Sequence, residues 1–156
     1  IVRHYSQPLY WQIRRILIYH EDTNDTLQNT LLKAWTNIQT FRQESRLSTW
    51  LYKIAYNESL TFLKNKRQQL SLDDTETIIT QPLQSDPYFD GDQLQEQLQQ
   101  AIAQLPDKQR AVFLMKYYQE LKYEEIAQIT GTSIGALKAS YHHAVKKIED
   151  YFNQHD

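Results

Sequence analysis

Cysteine is missing altogether, so neither a disulfide nor a thiolate metal site can form. That fits a reducing compartment, and a cytoplasmic protein is expected. Glycine occurs three times and proline four times in 156 residues, and no β-branched run alternates with period two. Sheet-rich classes therefore have little to build on. No apolar run approaches the ~18 residues that suggest a membrane span, and no signal-peptide pattern is visible; membrane insertion is not expected. The five histidines lack a carboxylate at a strong ligand spacing. His142 and His143 are adjacent and so point to different sides of a helix. There is no nucleophile elbow and no glycine-rich phosphate loop. Glu124 and Glu125 suit a helix first turn better than an acid–base pair. No enzyme activity, metal or cofactor is expected. The chain opens at Ile1 in a helical pattern, as if an N-terminal piece preceded it.

What is present is helical and unevenly charged. Hydrophobic residues make up 40%, enough to bury a core, and the net charge is only −2. That total hides three blocks. Residues 1–67 hold ten Lys/Arg against five Asp/Glu, residues 68–93 hold none against six, and residues 94–156 hold seven against eight. A basic block facing phosphates, an acidic connector and a near-neutral block imply two modules and a linker. The expected fold class is all-α: two small helical domains, 1–67 and 94–156, joined by a flexible acidic linker, 68–93. The linker contains Pro82, Pro87 and Gly91 and has no helical period.

Within the first module, Pro8 suits the first turn of a helix running to about Tyr19. His20-Glu21 reads as a break, with Asp22 or Thr23 capping a helix whose stripe is Leu27, Leu31, Ala34, Trp35 and Ile38. Ser48 is expected to cap a third helix ending near Lys66, with Leu51, Ile54, Ala55, Phe62 and Leu63 inward. In the second module, Asp92 can cap a helix lined by Leu94, Leu98, Ile102 and Leu105. Pro106 starts another, and two more complete a four-helix unit.

Those last two helices, in residues 123–147, read as a helix-turn-helix. Ile126 and Ile129 give the first a buried face, and Ala127 permits a close crossing. Gly131 ends it, and Thr132 or Ser133 caps the next. Ile134, Leu137, Tyr141, Ile148 and Phe152 form the second helix's inner stripe. Lys138, Ser140, His142 and His143 are expected to face outward, where side chains can bond base edges. Residues 41–67 carry the other motif. Phe41, Trp50, Tyr52, Tyr56 and Phe62 interleave with Arg42, Arg46, Lys53, Lys64, Lys66 and Arg67. Rings beside cations suit single-stranded nucleic acid, because bases stack while cations track the backbone. Phe62 and Trp50 can equally be core.

Three segments in order, HEDTNDTLQNTLLKAW, FRQESRLSTWLYKIAYNES and LPDKQRAVFLMKYYQELKYEEIAQITGTSIGALKASYHHAVKKI, resemble the extracytoplasmic-function (group four) sigma factors of the sigma-seventy family. The resemblance spans nearly the whole chain outside the linker. It implies that residues 22–38 dock on the polymerase β′ clamp helices through Asp25, Gln28, Leu32 and Trp35. It implies that residues 41–67 melt and read the minus-ten element, with Arg46, Ser48, Tyr52, Lys53, Tyr56, Asn57, Lys64 and Arg67 as DNA contacts. Asn57 falls where the family captures a flipped base. Residues 133–147 become the minus-thirty-five recognition helix, with Thr132, Ser133, Lys138, Ser140, His142, His143 and Lys146 as contacts. Partners implied are core RNA polymerase (β′ clamp helices and β flap), promoter DNA and an anti-sigma factor. Departures exist: Asn24 and Asn29 stand where the family often has acids, and Ser140, His143 and Val145 where it often has arginine. The alternative is a helix-turn-helix regulator that does not act through polymerase docking; it leaves the basic–aromatic motif without a role.

Overall fold

The computed structural model describes residues 2–73 and 93–154, with side chains from residue 4 to 70 and from 93 to 154. Among the described residues seven α-helices follow one another: α1 (Val2–Leu17), α2 (His20–Thr36), α3 (Leu47–Asp73), α4 (Gln93–Ala103), α5 (Asp107–Tyr117), α6 (Tyr123–Thr130) and α7 (Ile134–Gln154). A 3₁₀ turn, Ile38–Thr40, follows α2. Among the described residues there is no strand. The first three helices pack on one another, and α7 packs on α4, α5 and α6.

Several boundaries differ from the sequence expectation. Pro8 lies inside α1 rather than in its first turn. Leu9, Ile13, Ile16 and Leu17 are all completely buried, and that packing outweighs the backbone hydrogen bond a proline cannot make. The break falls at Ile18-Tyr19, not at His20-Glu21. Ile18 adopts φ 67°, a left-handed conformation that a β-branched residue disfavours, so the sequence gives no hint of it. Tyr19 precedes α2 as its N-cap, with Glu21 and Asp22 in the first turn.

The inward face of α2 is also rotated from the expected stripe. Thr23, Thr26, Thr30 and Ala34 are buried. Each threonine hydroxyl donates to the carbonyl four residues back, Tyr19, Asp22 and Thr26 respectively, so no hydroxyl enters the core unpaired. Leu27 and Leu31 are half-buried, while Trp35 and Ile38 lie outside. Helix α3 is longer than expected: Ser48 lies within it, and it continues six residues past Arg67 into the stretch read as linker. The rest of that linker and the Asp92 cap lie outside the described residues. Leu51, Ala55 and Leu63 are buried as expected, and Ile54 and Phe62 only partly.

In the second unit, Leu94 is 63% exposed, not core, whereas Ile102 and Leu105 are buried. Pro106 is the N-cap of α5. Gly131 sits at φ 73° past the end of α6, its N–H bonded to the Ala127 carbonyl at 2.8 Å. Ser133 caps α7 by accepting from the Ala136 N–H at 3.2 Å. Leu137, Ala144 and Ile148 form the buried stripe of α7, with Ile134 at its exposed edge.

The two units are in direct contact rather than separate bodies. Helix α1 packs on α5, and α3 packs on α5 and α6, so one apolar cluster runs through both.

Candidate polymerase and nucleic-acid interface

Opposite the threonine face of α2, Asp25, Gln28, Leu32 and Trp35 recur at helical spacing and form one exposed stripe. Trp35 is 80% exposed and Leu32 62%. Leaving a tryptophan and a leucine side by side in water forgoes the free energy their burial would release. The placement of Trp35 in an inner stripe is thereby corrected: the inward positions are held by Thr30 and Ala34.

Helix α3 divides the basic–aromatic motif between two faces. Lys53, Asn57 and Lys64 are exposed on one side, and Arg46 is exposed at its N-terminal end. Thr49, Tyr52, Tyr56, Leu63 and Arg67 recur along another side, and there Tyr56 is only 5% exposed. Burial raises the ionisation of both Tyr52 and Tyr56 above the usual phenol value. Trp50 and Phe41 pack as a tilted pair with centroids 5.2 Å apart. Lys66 turns inward, bonding Asp22 Oδ2 at 3.2 Å and lying over the Tyr19 ring at 4.8 Å. Ser48 is half-buried.

In the helix-turn-helix, Thr132, Ser133, Lys138, His142, His143 and Lys146 are exposed. Ser140 is half-buried on the flank of α7, so it does not face fully outward as expected. Lys138 lies 5.8 Å from the Tyr123 ring centroid, and Lys146 is 4.0 Å from Asp150. Gly135, Ala136 and Ala139 are exposed too, so the first turns of α7 present little side-chain bulk to an approaching groove. Glu125 reaches back to the Lys122 backbone N–H at 3.2 Å, fixing the start of α6.

Sequence reasoning missed the junction between the units. Arg110, 2% exposed, donates from Nε and Nη2 to the Ile16 carbonyl at 3.0 and 2.6 Å and from Nη1 to the Leu105 carbonyl at 2.7 Å. It thus fills an acceptor left open at the C-terminal end of α1. Nη2 also lies 3.0 Å from Asp107 Oδ1. Asp107 in turn takes both Nη atoms of Arg67 in a fork. Gln119 donates to Gln12 Oε1 at 3.3 Å, and Gln12 donates to the Tyr52 carbonyl at 3.1 Å. The Arg15 guanidinium lies over the rings of Trp11 and Tyr118, at 5.1 and 4.3 Å. Thr49 Oγ1 stands 3.5 Å from Glu125 Oε2, beside a cleft of about 250 Å³ lined by Arg46, Lys122 and Gln128 among others. Two signals were available: Gln12 interrupts the apolar stripe of α1, and Arg110 adjoins the apolar run of α5. A polar group at a core position needs a partner.

Burial works against ionisation of Asp107, but the Arg67 hydrogen bond and the charges of Arg110 and Arg67 outweigh it and hold the carboxyl below its usual value. A carboxyl depressed in the folded state contributes stability in full above its unfolded pKa of about 3.9, and loses it as pH falls through the lower folded value. Asp107→Asn should therefore flatten the acid limb of unfolding free energy below about pH 4 relative to the intact protein. Denaturant titrations at a series of pH values measure this; parallel acid limbs would contradict it.

A helix-turn-helix unit joined to a unit with a basic, ring-bearing helix defines a DNA-binding transcription factor. Residues 1–69 match the family model described as Sigma-70 region 2, and residues 95–148 that of Sigma-70, region 4. The ECF RNA polymerase sigma factor SigW of Bacillus subtilis (strain 168) is 32% identical over 153 residues, covering 91% of this chain and 81% of that protein. The RNA polymerase sigma factor YlaC of the same organism is 31% identical over 150 residues, covering 92% and 85%. Among solved structures, the sigma factor RpoE in complex with the anti-sigma factor NepR from Bartonella quintana aligns with a TM-score of 0.80 at 22% identity, over 97% of this chain and 94% of that one. CnrH, in complex with the cytosolic domain of CnrY, aligns at 0.72 and 17%, over 99% and 86%; both are likenesses of fold. The chain belongs to the extracytoplasmic-function sigma factors of the sigma-70 family. Sigma factors are non-enzymatic initiation factors that bind core RNA polymerase and promoter DNA. No described helix is long and apolar enough to cross a membrane.

Proposed function

We propose that this sigma factor docks on the β′ clamp helices through Asp25, Gln28, Leu32 and Trp35. The exposed Trp35–Leu32 pair carries this reading, since it is an apolar stripe on a helix whose opposite face is already packed. The second unit then grips the β flap, and the factor works in the cytoplasm, where polymerase is. It has no turnover of its own. The division into 1–67, 68–93 and 94–156 is retained as a functional one, with α3 running past its first boundary. One fold neighbour is in complex with the anti-sigma factor NepR and the other with the cytosolic domain of CnrY, which supports an anti-sigma partner for this chain.

For the minus-ten element, Arg46, Lys53, Asn57, Lys64 and Arg67 are exposed, Arg67 while paired with Asp107, whereas Tyr52 and Ser48 are half-buried and Tyr56 is buried. Asn57 can read a flipped base through its amide, and the tyrosines can stack. For the minus-thirty-five duplex, Thr132 and Ser133 suit phosphate contacts near the start of α7. Lys138, His142, His143 and Lys146 suit the groove and its edges, with Ser140 on the flank. The experiment is in vitro transcription with cognate core polymerase. Asn57→Ala should lower open-complex formation about ten-fold, the loss of one base-reading contact of ~1–3 kcal/mol, while core binding stays unchanged. Lys138→Ala should lower promoter affinity with the same core binding. Full melting by Asn57→Ala would overturn the base-reading role. Operator binding without any affinity for core would favour the regulator reading, which leaves the Trp35 stripe without a partner.

A further inference from the structure

Two helices, α3 and α6, begin at the same cleft, and both begin on a cation. Arg46 immediately precedes α3, and its carbonyl accepts from the Trp50 N–H at 3.1 Å. Lys122 is the N-cap of α6, and its carbonyl accepts from the Ile126 N–H at 3.0 Å. The N–H groups of residues 47–49 and 123–125 therefore have no carbonyl partner within their own helices. Neither an arginine nor a lysine side chain has an oxygen with which to cap them. Each also sets a positive charge at the positive end of a helix dipole, at a position where an oxygen-bearing cap is favoured. A charge of the wrong sign there costs ~0.3–1 kcal/mol per helix. Among the described residues no ion pair engages Arg46 or Lys122.

The cleft, of about 250 Å³, is lined by Ser45, Arg46, Thr49, Lys122, Glu125 and Gln128. Thr49 is 3% exposed. Its hydroxyl reaches Glu125 Oε2 only at 3.5 Å, the outer limit of a hydrogen bond. A buried donor at the cleft is thus poorly met, and burial makes that costly. Glu125 is the only acid among the lining residues, and its Oε1 already accepts from the Lys122 N–H. Two cations and two helix starts against one carboxylate leave the local field positive. The volume falls below the ~300–1,000 Å³ of pockets for drug-sized ligands, so it suits a small ion with some water.

We propose that this cleft binds a small phosphoryl anion, which bridges the start of α3 and the start of α6. The Arg46 guanidinium matches a pair of phosphoryl oxygens, and the Lys122 ammonium adds a point charge from the other side. The Thr49 hydroxyl gains the close acceptor that Glu125 does not give it. Lys122, Thr49, Glu125 and Gln128 stand outside the promoter and polymerase assignments. Arg46 is shared with the minus-ten face, so an occupied cleft competes with a DNA strand for that one side chain. A free phosphate or pyrophosphate and a nucleic-acid phosphodiester share the chemistry.

The test titrates the full chain, at low ionic strength in chloride buffer, with inorganic phosphate, pyrophosphate and the dinucleotide TpT. Calorimetry and the rise in unfolding midpoint report binding. Saturable binding at one site per chain is expected. Arg46→Ala and Lys122→Ala should each weaken it about ten-fold, the loss of one charge-assisted contact. Lys64→Ala, at an exposed position farther along α3, should leave it unchanged. Glu125→Gln should tighten binding about three-fold: the amide oxygen still accepts from the Lys122 N–H, while the opposing charge is gone. This pattern with the inorganic ions assigns the cleft to a free anion, and with TpT alone to a backbone phosphate; either supports the site. No saturable binding of any of the three overturns it. So does an equal loss in Lys64→Ala and Lys122→Ala, which would reduce the effect to diffuse charge, or weaker binding in Glu125→Gln.

Discussion

Trp35→Ala should weaken binding to core polymerase by about 2 kcal/mol, roughly thirty-fold in Kd, with unfolding free energy unchanged to within about 0.5 kcal/mol. The magnitude follows from side-chain type and position. Tryptophan is among the side chains most enriched at binding hot spots, and this one is 80% exposed in the free protein. Its removal therefore takes away no core contact, because Thr30 and Ala34 hold the inward positions of α2. Asp25→Ala and Gln28→Ala, on the same stripe, should cost less, as rim polar contacts do. Equilibrium binding to purified core, paired with chemical denaturation, separates the two quantities. A fall in affinity only in step with lost folding would return Trp35 to the core and remove its docking role.

Arg110→Met should destabilise the whole chain by about 3 kcal/mol. The thioether fills much of the space but donates nothing. Both the Ile16 and Leu105 carbonyls then lose their guanidinium donors, and Asp107 loses one of its two cationic partners. Each buried acceptor left unmet costs ~1–3 kcal/mol. The loss should appear as a lower denaturation midpoint, with a smaller slope if the units come apart before they unfold. A midpoint within experimental error of the intact protein would mean that water replaces the guanidinium and that the junction is weaker than drawn.

The junction also explains how far the sequence could be read. The all-α class, the helix-turn-helix and its boundaries followed from local chemistry. Gly131 and Ser133 act on their own neighbours through φ and a capping bond, so their roles survive any tertiary arrangement. The four residues assigned to polymerase docking fall on one exposed stripe because helical spacing alone places them together. The break at Ile18 was not legible, since a β-branched residue at positive φ runs against local preference; its N–H donates to the Arg14 carbonyl and its carbonyl accepts from Arg14 Nη1. The inward face of α2 was not legible either. Leucine looks like core by composition, but threonines that bond their own helix carbonyls are small enough to let α1 and α3 approach.

By itself, the sequence determined which segments are helical, where the second unit turns, and which side chains could serve a polymerase and a promoter. Those properties depend on period, capping and side-chain type, all of which act within one or two turns of chain. Tertiary structure alone decided that the two units meet, that Arg110 finishes the end of a helix some ninety residues away, and that Tyr56 is covered while Asn57 is open. Adjacent residues on a helix differ by about 100° in direction. Which of them faces solvent is therefore set by what packs against the helix, and the packing partner lies far off in sequence.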